Sequence, residues 1–220
     1  IAYATGIDGI YSSSNGINWS KIANFTFKEH YGALTVSGSK FYVATQSGIY
    51  MSTDAGATWN FSSKGIHALE VLEMVQSAST IYASTLRGLM ASTDEGESWK
   101  NLTPGIAVSA LKIIGNTLYV GTYLDNPGIM FSTDNGLTWT HSNKKFEQYV
   151  FDFLAVDKTI FAATSHNIYT STDGIKWTDV SEDEINAPDM SLVFCLGSDG
   201  EYLYAGTIAG MYRSGDKGVT

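Results

Sequence analysis

Five tryptophans stand at Trp19, Trp59, Trp99, Trp139 and Trp177, with spacings of 40, 40, 40 and 38 residues. A fixed period of this length means that one structural unit is repeated along the chain. Each tryptophan closes the same kind of phrase. Residues 52–59 read STDAGATW, 92–99 read STDEGESW, and 132–139 read STDNGLTW. Residues 171–177 read STDGIKW, one residue shorter, and 12–19 read SSSNGINW, with Ser14 aligned to the aspartates. A sixth copy begins at Ser214 as SGDKGVT and ends at Thr220, one residue before a tryptophan would be expected.

A second phrase precedes each of these: Tyr3-Ala4-Thr5, Tyr42-Val43-Ala44-Thr45, Tyr82-Ala83-Ser84-Thr85, Tyr119-Val120-Gly121-Thr122, Phe161-Ala162-Ala163-Thr164 and Tyr204-Ala205-Gly206-Thr207. Aromatic and small or β-branched residues bounded by turn signals read as strands. A turn usually containing Gly follows, then a third strand such as 48–52, then the Asp/Gly phrase as a turn, then an outer strand at the tryptophan. One more apolar strand, such as 33–36, lies ahead of each Tyr phrase. Four short antiparallel strands per ~40 residues is a propeller blade. No segment sustains a helical period; one helical turn is expected around 181–185.

Within the Asp/Gly phrase a carboxylate is suited to accept bonds from the N–H groups of its own turn. Gly supplies a positive φ, and the indole covers the turn and joins the packing between sheets. Asp54, Asp94, Asp134, Asp173 and Asp216, with Trp59, Trp99, Trp139 and Trp177, are therefore read as structural. Chemistry needs a catalytic Asp once or twice, not once per blade.

The phrase resembles the Asp-box, or BNR, repeat. That repeat is shared by sialidases, xyloglucan-processing glycoside hydrolases, sortilin-type receptors, a photosystem II assembly factor and many secreted bacterial proteins. The resemblance covers the whole chain and implies an all-β propeller of four-stranded antiparallel blades. At least six blades are expected, the first and last partial: 1–24, about 25–63, 64–103, 104–142 and 143–181, and 182–220. The first should lack its inner strand and the last its outer one, so the chain is expected to be a piece of a longer protein. The family spans enzymes, receptors and assembly factors, so it implies fold far more than activity.

Composition narrows the activities. The formal net charge is −9, and only Arg87 and Arg213 are arginines. No basic stripe exists to replace the counterions of a nucleic acid, and no apolar run approaches ~18 residues, so neither nucleic acid nor membrane insertion is expected. Sialidases, as the resemblance implies, hold their substrate carboxylate with three arginines, which this chain cannot supply. The single Cys195, in the apolar run 192–196, excludes an internal disulfide and reads as a buried small hydrophobe. The histidines His30, His67, His141 and His166 are scattered; no metal site and no cofactor is expected.

Xyloglucanase-type hydrolases need two carboxylates facing a groove. Counting back nine residues from each strand phrase aligns Ala33, Glu73, Ala110, Asp152 and Cys195. Glu73 and Asp152 are thus candidate catalytic residues on inner strands, with Glu70 beside the first. A polar axial channel accounts for them equally.

The turns between second and third strands share a face with the connections between blades, opposite the Asp-boxes. Departures from a repeat are where function concentrates. Tyr31, His67, Arg87, Tyr123, Asp125, Tyr149 and His166 are the candidate ligand-binding residues on that face, flanked by 144–148 and the acidic 181–184. The reading is a non-catalytic propeller that binds a protein or carbohydrate partner. Its expected location is extracellular, at the cell surface or periplasmic. The alternative is a fragment of a glycoside hydrolase of the xyloglucanase type.

Overall fold

The structure, a computed structural model, describes residues 1–6, 8–25, 31–66, 71–123, 128–142, 146, 149–180 and 192–216. Every regular element among them is a β-strand. They form six antiparallel sheets, and the fold class is the all-β propeller. The turn expected to be helical at 181–185 lies outside the described residues.

The chain divides into two compact units, 1–107 and 108–220. In the first, β1 (Ala2–Gly6), β2 (Gly9–Ser13) and β3 (Ser20–Asn24) make a three-stranded sheet. Two four-stranded sheets follow. One is β4 (Tyr31–Ser37), β5 (Lys40–Thr45), β6 (Gly48–Ser52) and β7 (Asn60–Phe61); the other is β8 (Val71–Ser77), β9 (Thr80–Thr85), β10 (Gly88–Ser92) and β11 (Lys100–Asn101).

The second unit holds β12 (Val108–Ile114), β13 (Thr117–Thr122), β14 (Gly128–Ser132) and β15 (Thr140–His141), then β16 (Val150–Val156), β17 (Thr159–Thr164), β18 (Ile168–Ser171) and β19 (Thr178–Asp179). Its last sheet has three strands, β20 (Val193–Ser198), β21 (Leu203–Thr207) and β22 (Gly210–Ser214). The strands within each sheet run in simple sequence order.

The Tyr phrases become second strands. In β5, β9, β13 and β17 the last five residues are all buried, because both faces of the sheet are covered. This is why they read as continuous apolar runs rather than clean alternations. In the first unit, Ile10, Phe41 and Val43 pack with Phe25 and Trp59. Tyr42, Ile49, Met74, Ile81 and Trp99 pack together between the next two sheets. In the second, Tyr119, Phe146, Phe153, Tyr169 and Trp177 form one cluster, and Ala163, Val193 and Ala205 another. Each fully buried aromatic of this kind contributes roughly 2–3 kcal/mol.

Strand ends are fixed by the terminal Thr. Thr45 Oγ1 accepts the Ser47 N–H and donates to the Gly48 carbonyl, and Thr85 does the same toward Arg87 and Gly88. Such local bonds turn the chain where the ladder stops.

The Asp-box turns are alike in detail. Ser52, buried, donates to Asp54 Oδ1 at 2.7 Å and accepts the Gly56 N–H at 2.8 Å. Asp54 also accepts the Thr58 N–H at 2.8 Å and the Thr58 hydroxyl at 2.6 Å. Ser92/Asp94/Ser98 and Ser132/Asp134/Thr138 repeat the arrangement. Two successive residues have positive φ in each: Ala55 and Gly56, Glu95 and Gly96, Asn135 and Gly136. Added side-chain bulk at Gly56 would meet the Ala23 Cβ at 2.4 Å, so the turn also needs glycine for close packing on the preceding sheet.

The short box omits one left-handed residue. At 171–177 only Gly174 has positive φ, and Asp173 Oδ1 accepts the N–H groups of Ile175 and Lys176. Residues 13–19 match this short form. Ser13 Oγ accepts the Gly16 N–H, while Asn15 Oδ1 accepts those of Ile17 and Asn18. The alignment of Ser14 with the aspartates is therefore corrected. Asn15 occupies that seat, in a second seven-residue box.

The tryptophans differ in environment. Trp99 and Trp177 are buried, Trp59 and Trp139 are half-buried, and Trp19 is 42% exposed. The long-box Trp99 reaches out of its turn to the Ser62 carbonyl. The short-box indoles of Trp19 and Trp177 bond their own turns, at Gly16 and Gly174. Cys195 corrects another expectation. It is exposed, with its sulfur against the backbone of Gly206.

Candidate functional site

In every sheet the antiparallel pairing puts the second-to-third-strand turn at one end and the Asp-box at the other. The first of these ends carries those sequence-derived ligand candidates that fall within the described residues. In the first unit, Arg87 is exposed at the tip of the β9–β10 turn, and its carbonyl accepts from Asn101 Nδ2. Tyr31 opens β4, with its backbone opposite Thr45. His67 lies outside the described residues, as do Glu70 and His30.

The second unit brings three candidates to one end of its sheets. Tyr123 follows β13 and Tyr149 precedes β16, and their rings lie with centroids 4.1 Å apart at 37°. The Tyr149 carbonyl accepts the Ser165 N–H in the β17–β18 turn, and the Ser165 carbonyl accepts the Leu192 N–H just before β20. These two bonds run a continuous strip of backbone from the start of β16 through the β17–β18 turn to the start of β20, across two sheets. His166, exposed, stands on it with Nδ1 3.0 Å from Ser165 Oγ. Beside it, Asn167 Nδ2 donates to the Asp179 carboxylate. Asp125, 144–145, 147–148 and 181–184 lie outside the described residues.

Two residues that the sequence reading did not select join this end. The inner strands each carry an irregularity near their start: Val108 pairs with Thr122 but Ala110 with Gly121, and the same slip occurs between Val150 and Asp152 and between Val193 and Cys195. The extra residue of a β-bulge is re-aimed out of the ladder. In β12 it is Ser109, whose hydroxyl donates to the Val150 carbonyl. In β16 and β20 it is Phe151 and Phe194. Their rings are 5.6 Å apart, and Phe194 is 47% exposed. The signal for them is in the sequence, ten residues before each second-strand aromatic. It becomes visible only once the bulge is known.

The carboxylate candidates lie in different units. Glu73 is half-buried on β8, opposite Ser84, whose hydroxyl accepts its N–H. Asp152 has a side chain only 14% exposed. Its Oδ2 accepts the Leu196 N–H of β20 at 2.8 Å, and its Oδ1 accepts the Phe153 N–H at 2.7 Å, with Lys112 Nζ of β12 at 3.7 Å. Asp152 thus ties three inner strands together. Among the described residues no three His, Cys, Asp or Glu side chains are grouped to hold a metal, and no helix is long and apolar enough to cross a membrane.

At the opposite end, Asp54, Asp94 and Asp134 are solvated but strongly bonded. The Thr58 hydroxyl and N–H, then Ser52, hold the Asp54 carboxyl down at about 2; Ser98 and Thr138 lead the same effect at Asp94 and Asp134, again to about 2. Asp173 is also lowered, first by the Lys176 N–H and then by that of Ile175. Asp216 accepts from Ser214 at 2.7 Å. These bonds are spent on turn geometry.

Comparison with known proteins follows this division between frame and face. The profile described as DUF6242 beta propeller domain matches residues 3–111, and that of the BNR/Asp-box repeat matches residues 130–141. No curated protein matches the sequence. Among solved structures, the extracellular domain of a one-component system of B. thetaiotaomicron superposes with a TM-score of 0.77 at 13% identity, over 96% of this chain. The chain spans 31% of that domain's length. YCF48 bound to a D1 peptide gives a TM-score of 0.74 at 12% identity, over 99% of this chain and 75% of that one. The GH74 enzyme of Niastella koreensis gives 0.63 at 20% identity, over 99% and 36%. At such identities the likeness is one of fold. Repeat, architecture and sequence profiles agree: this chain is a β-propeller that carries the BNR/Asp-box repeat.

Proposed function

We propose that this chain is a non-catalytic Asp-box propeller of a secreted or cell-surface protein. It binds a protein or glycan partner on the face opposite the Asp-boxes. The observation that carries this reading is the second unit's turn end, where Tyr123, Tyr149, Phe151, Phe194 and His166 are gathered on a backbone strip held by hydrogen bonds. Aromatic side chains offer large contact area at low entropic cost, with a polar edge for orientation. Asp152 supports a binding role over an acid–base one, because its oxygens already serve neighbouring strands. An extracellular setting is supported by the likeness to a bacterial extracellular domain, and a protein partner by YCF48 having been seen with a peptide.

The test is a screen of the purified chain against polysaccharides and a displayed peptide library, repeated with Tyr149→Ala and with Leu137→Ala at the box end. Binding lost in the first variant and kept in the second supports the reading. Ligands that ignore Tyr149, or that depend on Leu137, overturn it. The hydrolase alternative predicts release of reducing ends from xyloglucan that Glu73→Gln or Asp152→Asn abolishes.

A further inference from the structure

We infer that the aromatic cluster of the second unit is a stacking site for an uncharged sugar ring within a neutral glycan. This rests on the binding reading above and names its ligand class. Three observations lead to it.

The first is the shape of the surface. Tyr123 and Tyr149 are stacked on one another, with centroids 4.1 Å apart at 37°, and both are half-buried, so each ring turns an outer side away from the other. Phe151 and Phe194 form a second pair on the adjacent inner strands, with Phe194 47% exposed. Both pairs stand at the same end of their sheets, because Tyr149 and Phe151 flank the first residue of β16 and Phe194 follows the first residue of β20. A pyranose presents a face of C–H groups that covers such a ring, as apolar surface does.

The second is the absence of formal charge among the described residues of the cluster, which is two tyrosine rings, two phenylalanine rings and an imidazole. The nearby ionisable groups are committed elsewhere: Asp179 to Asn167, and Asp152 to Leu196 and Phe153 with Lys112 close by. The whole chain carries a formal charge of −9. A uronate, sialic acid or phosphate would meet no cation among the described residues of the cluster and would enter the field of a net negative chain.

The third is the polar complement. The Tyr123 and Tyr149 hydroxyls are engaged in no hydrogen bond within the protein among the described residues, and His166 is exposed with its Nδ1 facing Ser165 Oγ. Hydroxyl and imidazole groups around apolar rings suit a ligand that presents hydroxyls at its edge and C–H groups on its face.

The experiment is calorimetric titration of the purified chain with neutral oligosaccharides (cello-, xyloglucan- and manno-oligosaccharides), with oligogalacturonate, and with proline-rich and basic peptides. Wild type is compared with Tyr123→Ala, Tyr149→Ala, Phe194→Ala and Leu137→Ala, and circular dichroism confirms that each variant is folded. A neutral oligosaccharide should bind, with affinity falling about tenfold for each ring removed and unchanged in Leu137→Ala. Tyr149→Phe should retain the stacking and lose only the hydroxyl's share. Stronger binding of galacturonate, or neutral-sugar binding indifferent to these three rings, overturns the inference. Peptide binding that depends on Tyr149, with no sugar bound, overturns it but leaves the binding face standing. No ring-dependent ligand of either class overturns both.

Discussion

The indole Nε1 of Trp99 donates to the main-chain carbonyl of Ser62, 3.0 Å away and 37 residues earlier in the chain. The same two segments are joined twice more. The Trp99 N–H reaches the Lys64 carbonyl at 2.9 Å, and the Ser62 hydroxyl donates to the Gly96 carbonyl. Tyr42 adds a bond from its hydroxyl to the Glu95 carbonyl at 3.0 Å, and Lys40 pairs with the Glu95 carboxylate. One long Asp-box therefore rivets its sheet to the sheet before it. Trp99→Ala should cost roughly 3–5 kcal/mol, as removal of a buried large aromatic does. Trp99→Phe should cost about 1 kcal/mol or more through the lost bond to Ser62. The half-exposed Trp19, bonded only to its own turn, should cost much less on truncation. Urea denaturation of the three variants ranks them, and equal losses at Trp19 and Trp99 would refute the distinction.

The repeated turns make stability sensitive to acid. Asp54, Asp94 and Asp134 have folded values of about 2 against an ordinary 3.8. A depressed carboxyl contributes stability that is fully present above its unfolded value. That stability is lost as pH falls through the folded value. The denaturation midpoint should thus hold steady above about pH 5 and fall between about 4 and 2. Asp54→Asn/Asp94→Asn/Asp134→Asn should be less stable at pH 7 and show a flatter acid limb. A triple variant with an unaltered limb would place the acid sensitivity elsewhere.

The frame was legible in the sequence because it is periodic. Ser52, Asp54, Gly56 and Trp59 recur in register, and each meets a local demand of one turn. The register failed at Ser12-Ser13-Ser14, where three identical residues hide which serine is buried. Only the bonds of Ser13 and Asn15 reveal a seven-residue box there. The face was less legible because it depends on bulges. A one-residue slip moves Phe151 and Phe194 out of the strand pattern, and nothing local in their sequence marks the slip. The Tyr123–Tyr149 contact joins two connections whose approach is set by β13 and β16, not by their own residues. Cys195 looked like core for the same reason. Its apolar run is real, yet Phe194 and Cys195 are exposed beside the buried Val193.

Asn15 offers a test of the corrected register. Its Oδ1 accepts the Ile17 and Asn18 N–H groups at 3.0 and 2.9 Å, as Asp173 Oδ1 does for Ile175 and Lys176 at 2.8 Å. A carboxylate strengthens such bonds by charge assistance. Asn15→Asp should stabilise the chain by about 0.5–1 kcal/mol at pH 7, with the gain vanishing near pH 3. Ser14→Asp should bring no comparable gain, although the sequence alignment alone would favour it. Thermal melts of the two variants decide between the registers.

Ala78 provides the last test, and it concerns strain rather than bonding. The two-residue turns joining inner to second strands place a left-handed residue first: Gly38 and Gly115 at φ of 61° and 60°, but Ala78 at 50° and Asp157 at 55°. An L-residue with a Cβ pays roughly 1–2 kcal/mol to occupy this region, while glycine gives back part of that difference, about 0.5–1 kcal/mol, as unfolded-state entropy. The balance favours glycine. Ala78→Gly should therefore raise stability by up to about 1 kcal/mol, although it removes a methyl group and adds no contact. Asp157→Gly is a less direct measure because the Asp157 side chain has interactions of its own. The Ala78 variant should unfold at higher urea with an unchanged dependence on denaturant, since the buried surface is the same. A lower midpoint would mean that the Ala78 methyl group contributes more than its backbone conformation costs.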